Sequence, residues 1–324
     1  MVAAVETMAY AGQTPWHGLG FKVSEDLTPQ EIAVAAKIDW TLSKRQVYFK
    51  RQSGHLEVAP DEFCVVRDHD EQFYCTVGAS WKILQNLEAI EFFTKFVQAG
   101  KMRMETAGAL WGGRYIWALA RIGKDFKIGR SKDEIHGYLL MAIPHLFGKA
   151  MVFKLTPIRV VCWNTYSWAL GTVSGAAYKV AHCTKFDEAT KKKVEEALGL
   201  AAKEMADFQN AATLLAKAKA PAQEVEDFFC EILQFDPKQA AKNKDGSIRE
   251  PAALERFRTA LTHAPGQQLS TALGTWWGAF NAVTFVADHQ IPSDDADLKL
   301  KNSWFGHYSN LKTRAFELAV KAAA

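Results

Sequence analysis

The sequence predicts an α+β fold, with an antiparallel, β-hairpin-rich N-terminal half carrying a packed helix and a helical C-terminal half. Three observations predict it. Short runs of β-branched and aromatic residues, bounded by Gly, Pro or charged turns, recur up to residue 180. From Asp187 onward the composition shifts to Ala, Lys, Glu and Leu at helical spacing. Strand and helix signals are therefore segregated along the chain rather than alternating, the mark of α+β. The expected division is a mixed sheet and helix domain with a basic surface over 1–185, and a mainly helical region over 186–324 that packs on it or extends from it.

The elements follow in order. Thr28-Pro29-Gln30-Glu31 opens a short helix near Thr28–Ile38. Thr28 is the N-cap, Pro29 takes the first helical position, and Glu31 completes a capping box. Trp40–Lys50 reads as a strand. Glu62–Arg67 and Gln72–Val77 flank the polar turn Asp68-His69-Asp70-Glu71 and form a first hairpin. Leu84–Ala99 places Leu87, Ile90, Phe93, Phe96 and Val97 at three- and four-residue spacing, which marks an amphipathic helix ending at Gly100. Met102–Ile122 reads as a second hairpin turning at Trp111-Gly112-Gly113-Arg114, where Gly-Gly accepts positive φ. Tyr138–Val161 reads as a third, turning near His145–Lys149. Helices are expected over Asp187–Lys219, Val225–Leu233, Pro251–Leu261, Ser270–His289 and Leu311–Ala323.

Composition excludes several classes. The chain has 324 residues, 48% hydrophobic and 23% charged, which fits a folded globular protein and not a disordered or collagen-like one. It has no run of about 18 apolar residues, so no membrane span is expected. Met1–Met8 lacks a basic start and an apolar core, so no secretory signal is expected there. Five scattered cysteines point to reduced thiols and a cytoplasmic location. Net charge is only +3. Residues 1–185 hold 22 Lys+Arg against 17 Asp+Glu, and the remainder 17 against 19, so the front half is mildly basic.

Signatures of familiar enzymes are missing. There is no phosphate loop, Gly-x-Gly-x-x-Gly turn, His-Glu-x-x-His, Cys-x-x-Cys or Gly-x-Ser-x-Gly. No catalytic residue, metal site or cofactor is therefore expected. His182-Cys183 offers soft ligands, but strand neighbours point to opposite faces. Cys64 and Cys75 are expected to pack across the first hairpin. His145 lies in a loop with no evident partner to set its pKa. Trp16-His17-Gly18-Leu19-Gly20 reads as an anchor for the N-terminal segment, or as a stacking platform.

The basic residues of the sheet region carry the functional expectation. Lys101, Arg103, Arg114, Arg121, Lys124, Lys127, Arg130 and Lys132 surround the second hairpin. Lys149, Lys154 and Arg159 lie on the third. Trp111, Tyr115, Trp117, Trp163, Tyr166 and Trp168 are interleaved with them. Cations that track phosphates and aromatic faces that accept bases are the ingredients of a single-strand site. The same aromatics also suit core packing, since alternation puts Tyr115, Trp117 and Leu119 on one strand face.

These residues also carry a family likeness. Glu6-Thr7-Met8-Ala9-Tyr10 with Thr14-Pro15-Trp16-His17-Gly18-Leu19-Gly20 resembles the opening of a phage- and plasmid-borne family. Its members are described as phage/plasmid-like proteins with a domain of unknown function. Met104-Glu105-Thr106-Ala107-Gly108-Ala109-Leu110 followed by Gly112-Gly113-Arg114 resembles its middle motif. Leu155-Thr156-Pro157-Ile158-Arg159-Val160-Val161-Cys162-Trp163-Asn164-Thr165 resembles the third. Trp277-Gly278-Ala279-Phe280-Asn281-Ala282-Val283-Thr284 and Trp304-Phe305-Gly306 resemble the fourth and fifth. The third-hairpin turn, Pro144-His145-Leu146-Phe147-Gly148, keeps the family's His and Gly but lacks the acid of its Ser-His-Asp-Gly-type turn. The resemblance implies a mobile-element protein in a bacterial cytoplasm, acting on DNA or countering the host. The order of elements is also similar to that of phage single-strand annealing proteins, which are ring-forming recombination proteins with a basic groove.

The leading expectation is an oligomeric protein that binds single-stranded DNA and anneals complementary strands without a nucleotide cofactor. Lys101, Arg103, Arg114, Lys149, Lys154 and Arg159 would take the phosphates, and Trp111 would stack on bases. One alternative is an interaction protein that binds a host factor through its Ala-rich helices. A second is a nucleic-acid-processing enzyme using carboxylates such as Asp61, Glu62, Glu88 and Glu105.

Overall fold

A computed structural model describes residues 5–11, 21–24, 27–99, 102–123, 125–159, 164–165, 177–184, 186–199, 201–290 and 307–324. The protein is mixed α+β, with antiparallel-rich sheets in the N-terminal two-thirds and mostly helices in the C-terminal part. The chain forms two compact units. The first comprises Met1–Ile122, Leu139–Lys154 and Ser174–Ala201, and the second Gly123–Tyr138, Leu155–Val173 and Ala202–Ala324. The units interleave along the sequence.

The first unit opens with β1 (Val5–Ala11) and β2 (Phe21–Val23), which pair in parallel. Helix α1 (Pro29–Ala35) has the expected capping box: Thr28 accepts from the Glu31 amide, and the Glu31 carboxylate accepts from the Thr28 amide at 2.8 Å. Strands β3 (Leu42–Lys50), β4 (Leu56–Arg67) and β5 (Gln72–Gly78) form a separate antiparallel meander. Leu42, Val65, Tyr74, Val77 and Trp81 build its core. The Lys44 Nζ closes one end by donating to the carbonyls of Gly78, Ala79 and Trp81 at 2.9–3.2 Å. Beyond the bulge at Gln46/Tyr48, β3 and β4 continue as a two-stranded arm that exposes Tyr48, Phe49, Leu56 and Val58.

Helix α2 (Asn86–Ala99) buries Ile90 and Phe93 and packs on α1 and on the second hairpin, β6 (Arg103–Leu110) with β7 (Tyr115–Arg121). Every residue of β7 up to Ala120 is buried, so both of its faces are covered, as befits a strand inside a sheet. Gly108 on β6 lies so close to β1 that an added Cβ would strike the Thr7 carbonyl. That close approach is a reason for glycine there.

Strand β8 (Phe126–Lys127) pairs with the start of β9 (Glu134–Pro144), and β10 (Ala150–Arg159) completes the third hairpin. Two short strands, β11 (Asn164–Thr165) and β12 (Ala177–Ala181), both pair with β10. The large sheet runs β11-β10-β9-β7-β6-β1-β2, with β12 on β10 and β8 on β9.

The helical part holds α3 (Glu188–Gly199), α4 (Ala201–Lys217), α5 (Ala222–Leu233), α6 (Ala252–His263), α7 (Trp276–Phe285) and α8 (His307–Ala323). In the second unit, the rings of Trp277, Phe280 and Phe316 surround Phe208 or one another at 5.2–6.4 Å. Buried Asp133 accepts from the Thr271 hydroxyl at 2.7 Å and the Trp277 indole at 3.0 Å. The helix expected from Ser270 begins only at Trp276: Gly274 turns the chain at φ 66° and Thr275 caps the new helix. Helix α7 runs into a π-helical turn, Val286–Gln290, whose Asp288 meets Lys312 of α8 at 2.7 Å, both buried. Among the described residues, no helix is long and apolar enough to cross a membrane.

Candidate functional site

The β6–β7 turn presents a partly exposed tryptophan beside an arginine in the first unit. Trp111, Gly112 and Gly113 all take positive φ, at 54°, 64° and 78°. A Cβ on Gly113 would strike Trp40, Arg67 and Tyr74, so this position demands glycine twice over. The turn holds Trp111 partly in solvent, 37% exposed, with its ring near-parallel to Tyr115 at 6.3 Å. Burial pushes the Tyr115 hydroxyl up to about 12, so the phenol stays neutral.

Arg114 follows the glycines. Its guanidinium lies 5.2 Å from the Tyr74 ring centre and 5.6 Å from that of Trp111. Nη2 donates to the Phe73 carbonyl at 3.1 Å, and Nη1 to the Trp111 carbonyl at 3.4 Å. Cation and ring planes therefore hold each other in place. Phe73 itself is 52% exposed.

The β9–β10 turn joins the same neighbourhood. The His145 amide donates to the Arg114 carbonyl at 2.8 Å, and the Cys75 thiol donates to the His145 carbonyl at 3.6 Å. Two residues on, Phe147 is 67% exposed, and Lys149 also faces solvent. Trp111 thus lies beside the Arg114 cation, the Phe73 backbone carbonyl accepts from Arg114, and Phe147 and Lys149 are exposed on the β9–β10 turn.

Beneath this surface lies a rigid polar support. Arg67 grips Asp70 through two bonds, at 2.9 and 2.6 Å, reaches Gln72 at 2.8 Å, and sits 5.2 Å from the Trp40 ring. The guanidinium holds the Asp70 carboxyl down at about 2. Asn86 donates to the carbonyls of Ile38 and Trp40, which leaves its Oδ1 to accept from His145 Nε2 at 2.8 Å. The His145 Nδ1 has no hydrogen-bond partner among the described residues. Burial holds His145 down at about 3, so the ring is neutral and stacks near-parallel to Tyr74 at 6.4 Å. His182 is also buried, stacked 4.4 Å from Trp81, and contacts the carbonyls of Pro144 and Lys82.

The sequence-predicted residues distribute unevenly. Trp111 and Arg114 come together here, and Lys149 is exposed on the turn whose His145 amide donates to the Arg114 carbonyl. Arg103 is bound to Glu105 at 3.0 Å on β6. Lys154 is buried, 8% exposed, on β10 opposite Ala177. Arg159 pairs with Asn164 through the backbone. Lys101, Lys124, Trp163, Tyr166, Trp168, and the Trp16-His17-Gly18-Leu19-Gly20 and Trp304-Phe305-Gly306 motifs lie outside the described residues. Cys64 and Cys75 are offset by one position, since Cys64 opposes Thr76 and Val65 opposes Cys75, and both are free thiols. Among the described residues, no group of three or more His, Cys, Asp or Glu could hold a metal ion. Sequence reading missed Phe73, Phe147 and the supporting Trp40, Arg67, Tyr74 and Asn86. A phenylalanine at the tip of a turn was the available signal for Phe147.

Residues 74–315 match the family model described as a domain of unknown function, DUF932. The chain belongs to this family. The DUF932 match takes in Trp111, Arg114, Phe147 and Lys149, and begins one residue after Phe73. Neither the curated proteins nor the solved structures gave a match. The description of DUF932 names no activity, so a functional reading has to rest on the site.

Proposed function

We propose that the protein binds single-stranded DNA on the surface around Phe73, Trp111 and Phe147, and that it promotes annealing of complementary strands without a nucleotide cofactor. The observation that carries this reading is the partly exposed Trp111 ring held beside Arg114, with Phe73 exposed on β5 and Phe147 and Lys149 exposed on the β9–β10 turn. An aromatic face accepts a base through its π surface, at about 1–3 kcal/mol per base. Such contact leaves the Watson–Crick edge of the base uncommitted, so a second strand can test it for pairing. The cations reduce repulsion between the two backbones. No base-specific donor or acceptor is required, which suits a protein that handles any sequence.

Fluorescence anisotropy with a labelled single strand of about 40 nucleotides, at several salt concentrations, tests the reading. Submicromolar binding is expected at low salt. Arg114 and Lys149 together contribute a log–log salt slope of about −1.4, from about −0.7 per cation on a single strand. Trp111→Ala is expected to weaken binding about tenfold, the loss of one stacked base. Absence of binding at low salt, or full affinity in Trp111→Ala and Arg114→Ala alike, overturns the proposal.

A further inference from the structure

The arm formed by the end of β3 and the start of β4 carries large apolar side chains into solvent. Tyr48 pairs with Val58, Phe49 with Glu57, and Lys50 with Leu56. Tyr48, Phe49, Leu56 and Val58 are 44–72% exposed. Nothing in the single-strand reading uses them. Among the described residues, neither edge of the arm has a strand neighbour, because β5 joins β4 only from Glu62 onward. An open edge is a template for another strand.

The hairpin turn fixes which backbone groups face outward. The Arg51 amide donates to the His55 carbonyl at 2.9 Å, and the Gly54 amide to the Arg51 carbonyl at 2.9 Å. Arg51 and His55 are thus a hydrogen-bonded pair, and along an antiparallel ladder such pairs alternate with non-bonded ones. Phe49 therefore bonds inward to β4, whereas Tyr48 and Lys50 aim N–H and C=O outward. Leu42, an even number of residues back, fits this alternation: the Gln85 side chain caps its amide at 3.0 Å and its carbonyl at 2.8 Å. Among the described residues, no side chain does this for Tyr48 or Lys50. Side chains alternate too, so Tyr48, Lys50, Leu56 and Val58 share one face, and Phe49 shares the other with the Arg51–Glu57 ion pair.

The two edges differ in what they accept. On β4, Pro60 follows Val58 by two residues and has no N–H to offer, which blunts that edge. Strand β3 has no proline, and its charges select one self-pairing register. An antiparallel pair of β3 strands centred on Lys50 would oppose two lysines. Centred on Tyr48, it would oppose Arg45 to the partner's Arg51. Like charges directly opposite each other repel. Centred on Phe49, it sets Tyr48 against the partner's Lys50, and Lys50 against the partner's Tyr48. The outward groups of these residues then meet in four backbone hydrogen bonds. Lysine on tyrosine is a cation–π contact, and Phe49 meets Phe49 of the partner subunit at the closer, non-hydrogen-bonded position.

We propose that two copies of this chain pair through the β3 edges of their arms, antiparallel about a two-fold axis at Phe49, in a four-stranded sheet. The contact is isologous and small, so a monomer–dimer equilibrium in the micromolar range is expected. The arm holds none of the residues assigned to the single strand, so either proposal can fail alone. Sedimentation velocity of the full chain without DNA is the test. A dimer is expected at about 100 μM protein, dissociating on dilution. Phe49→Glu sets two carboxylates against each other at the axis and is expected to weaken the dimer by at least about tenfold. Phe49→Cys reads the register separately. Under mild oxidation it is expected to form a disulfide with its own counterpart in the second copy, mapped by mass spectrometry, whereas Glu57→Cys on the same face of β4 is not. A wild-type monomer at about 100 μM, an undiminished dimer in Phe49→Glu, or no more disulfide in Phe49→Cys than in Glu57→Cys overturns the proposal.

Discussion

Gly113 and His145 show how single residues set up the aromatic surface. At Gly113 the backbone is left-handed and three side chains occupy the space of a Cβ. Gly113→Ala is expected to cost more than about 1 kcal/mol and to displace Trp40, Arg67 or Tyr74. The midpoint of chemical denaturation measures the first effect, and loss of oligonucleotide affinity the second. His145 makes stability depend on pH. Burial lowers its folded-state pKa from 6.5 to about 3. Between these values the unfolded chain binds the proton and the folded one does not. Stability is therefore fully present above pH 6.5 and falls as the pH drops, by about 1.4 kcal/mol per pH unit from this residue. Burial lowers the pKa of His182 as well, so it adds in the same direction. Urea denaturation across this pH range should show the slope, and His145→Gln should make it shallower. A wild-type stability independent of pH in this window contradicts the assignment.

At the scale of elements, much of the fold was written locally in the sequence. Thr28, Pro29 and Glu31 specify α1 because capping is a contact between near neighbours. The Asp68–Glu71 turn and the Gly112-Gly113 turn likewise specify their hairpins through residues that tolerate the required backbone. What depends on distant partners was not legible. The parallel β1–β2 pair and the short strands β8, β11 and β12 follow from tertiary pairing rather than from any local pattern. The register that offsets Cys64 from Cys75 depends on where the irregularity at Val65/Val66 falls. The candidate site was legible in part for the same reason. Trp111 and Arg114 sit in a recognisable turn, whereas Phe73 looks like any apolar strand residue, and only tertiary structure exposes it. The burial of Lys154 and the Glu105 bond to Arg103 are long-range or conformational facts that charge counting does not see.

For the whole molecule, two kinds of polar cluster play different roles. Unit 2 keeps a fully buried ion pair, Lys312 with Asp288, at a π-helical turn. Removing one partner leaves the other charge in the interior, so Lys312→Ala is expected to destabilise by about 3–5 kcal/mol. The double substitution Lys312→Met with Asp288→Leu should recover most of that loss, because it removes both desolvation penalties. A double variant no more stable than the single one would contradict this account. Unit 1 instead sets the guanidiniums of Arg67 and Arg114 against rings, and leaves Phe73, Trp111 and Phe147 among its exposed aromatics. Exposed aromatics beside cations are the basis for assigning the binding role to this unit.

The most direct test of that assignment is photocrosslinking of the full chain to a single strand containing 5-iodouracil, followed by mass-spectrometric mapping of the attached residues. The account predicts crosslinks concentrated at Phe73, Trp111 and Phe147. Crosslinks that map elsewhere, or a strand that never crosslinks at saturating protein, would contradict it.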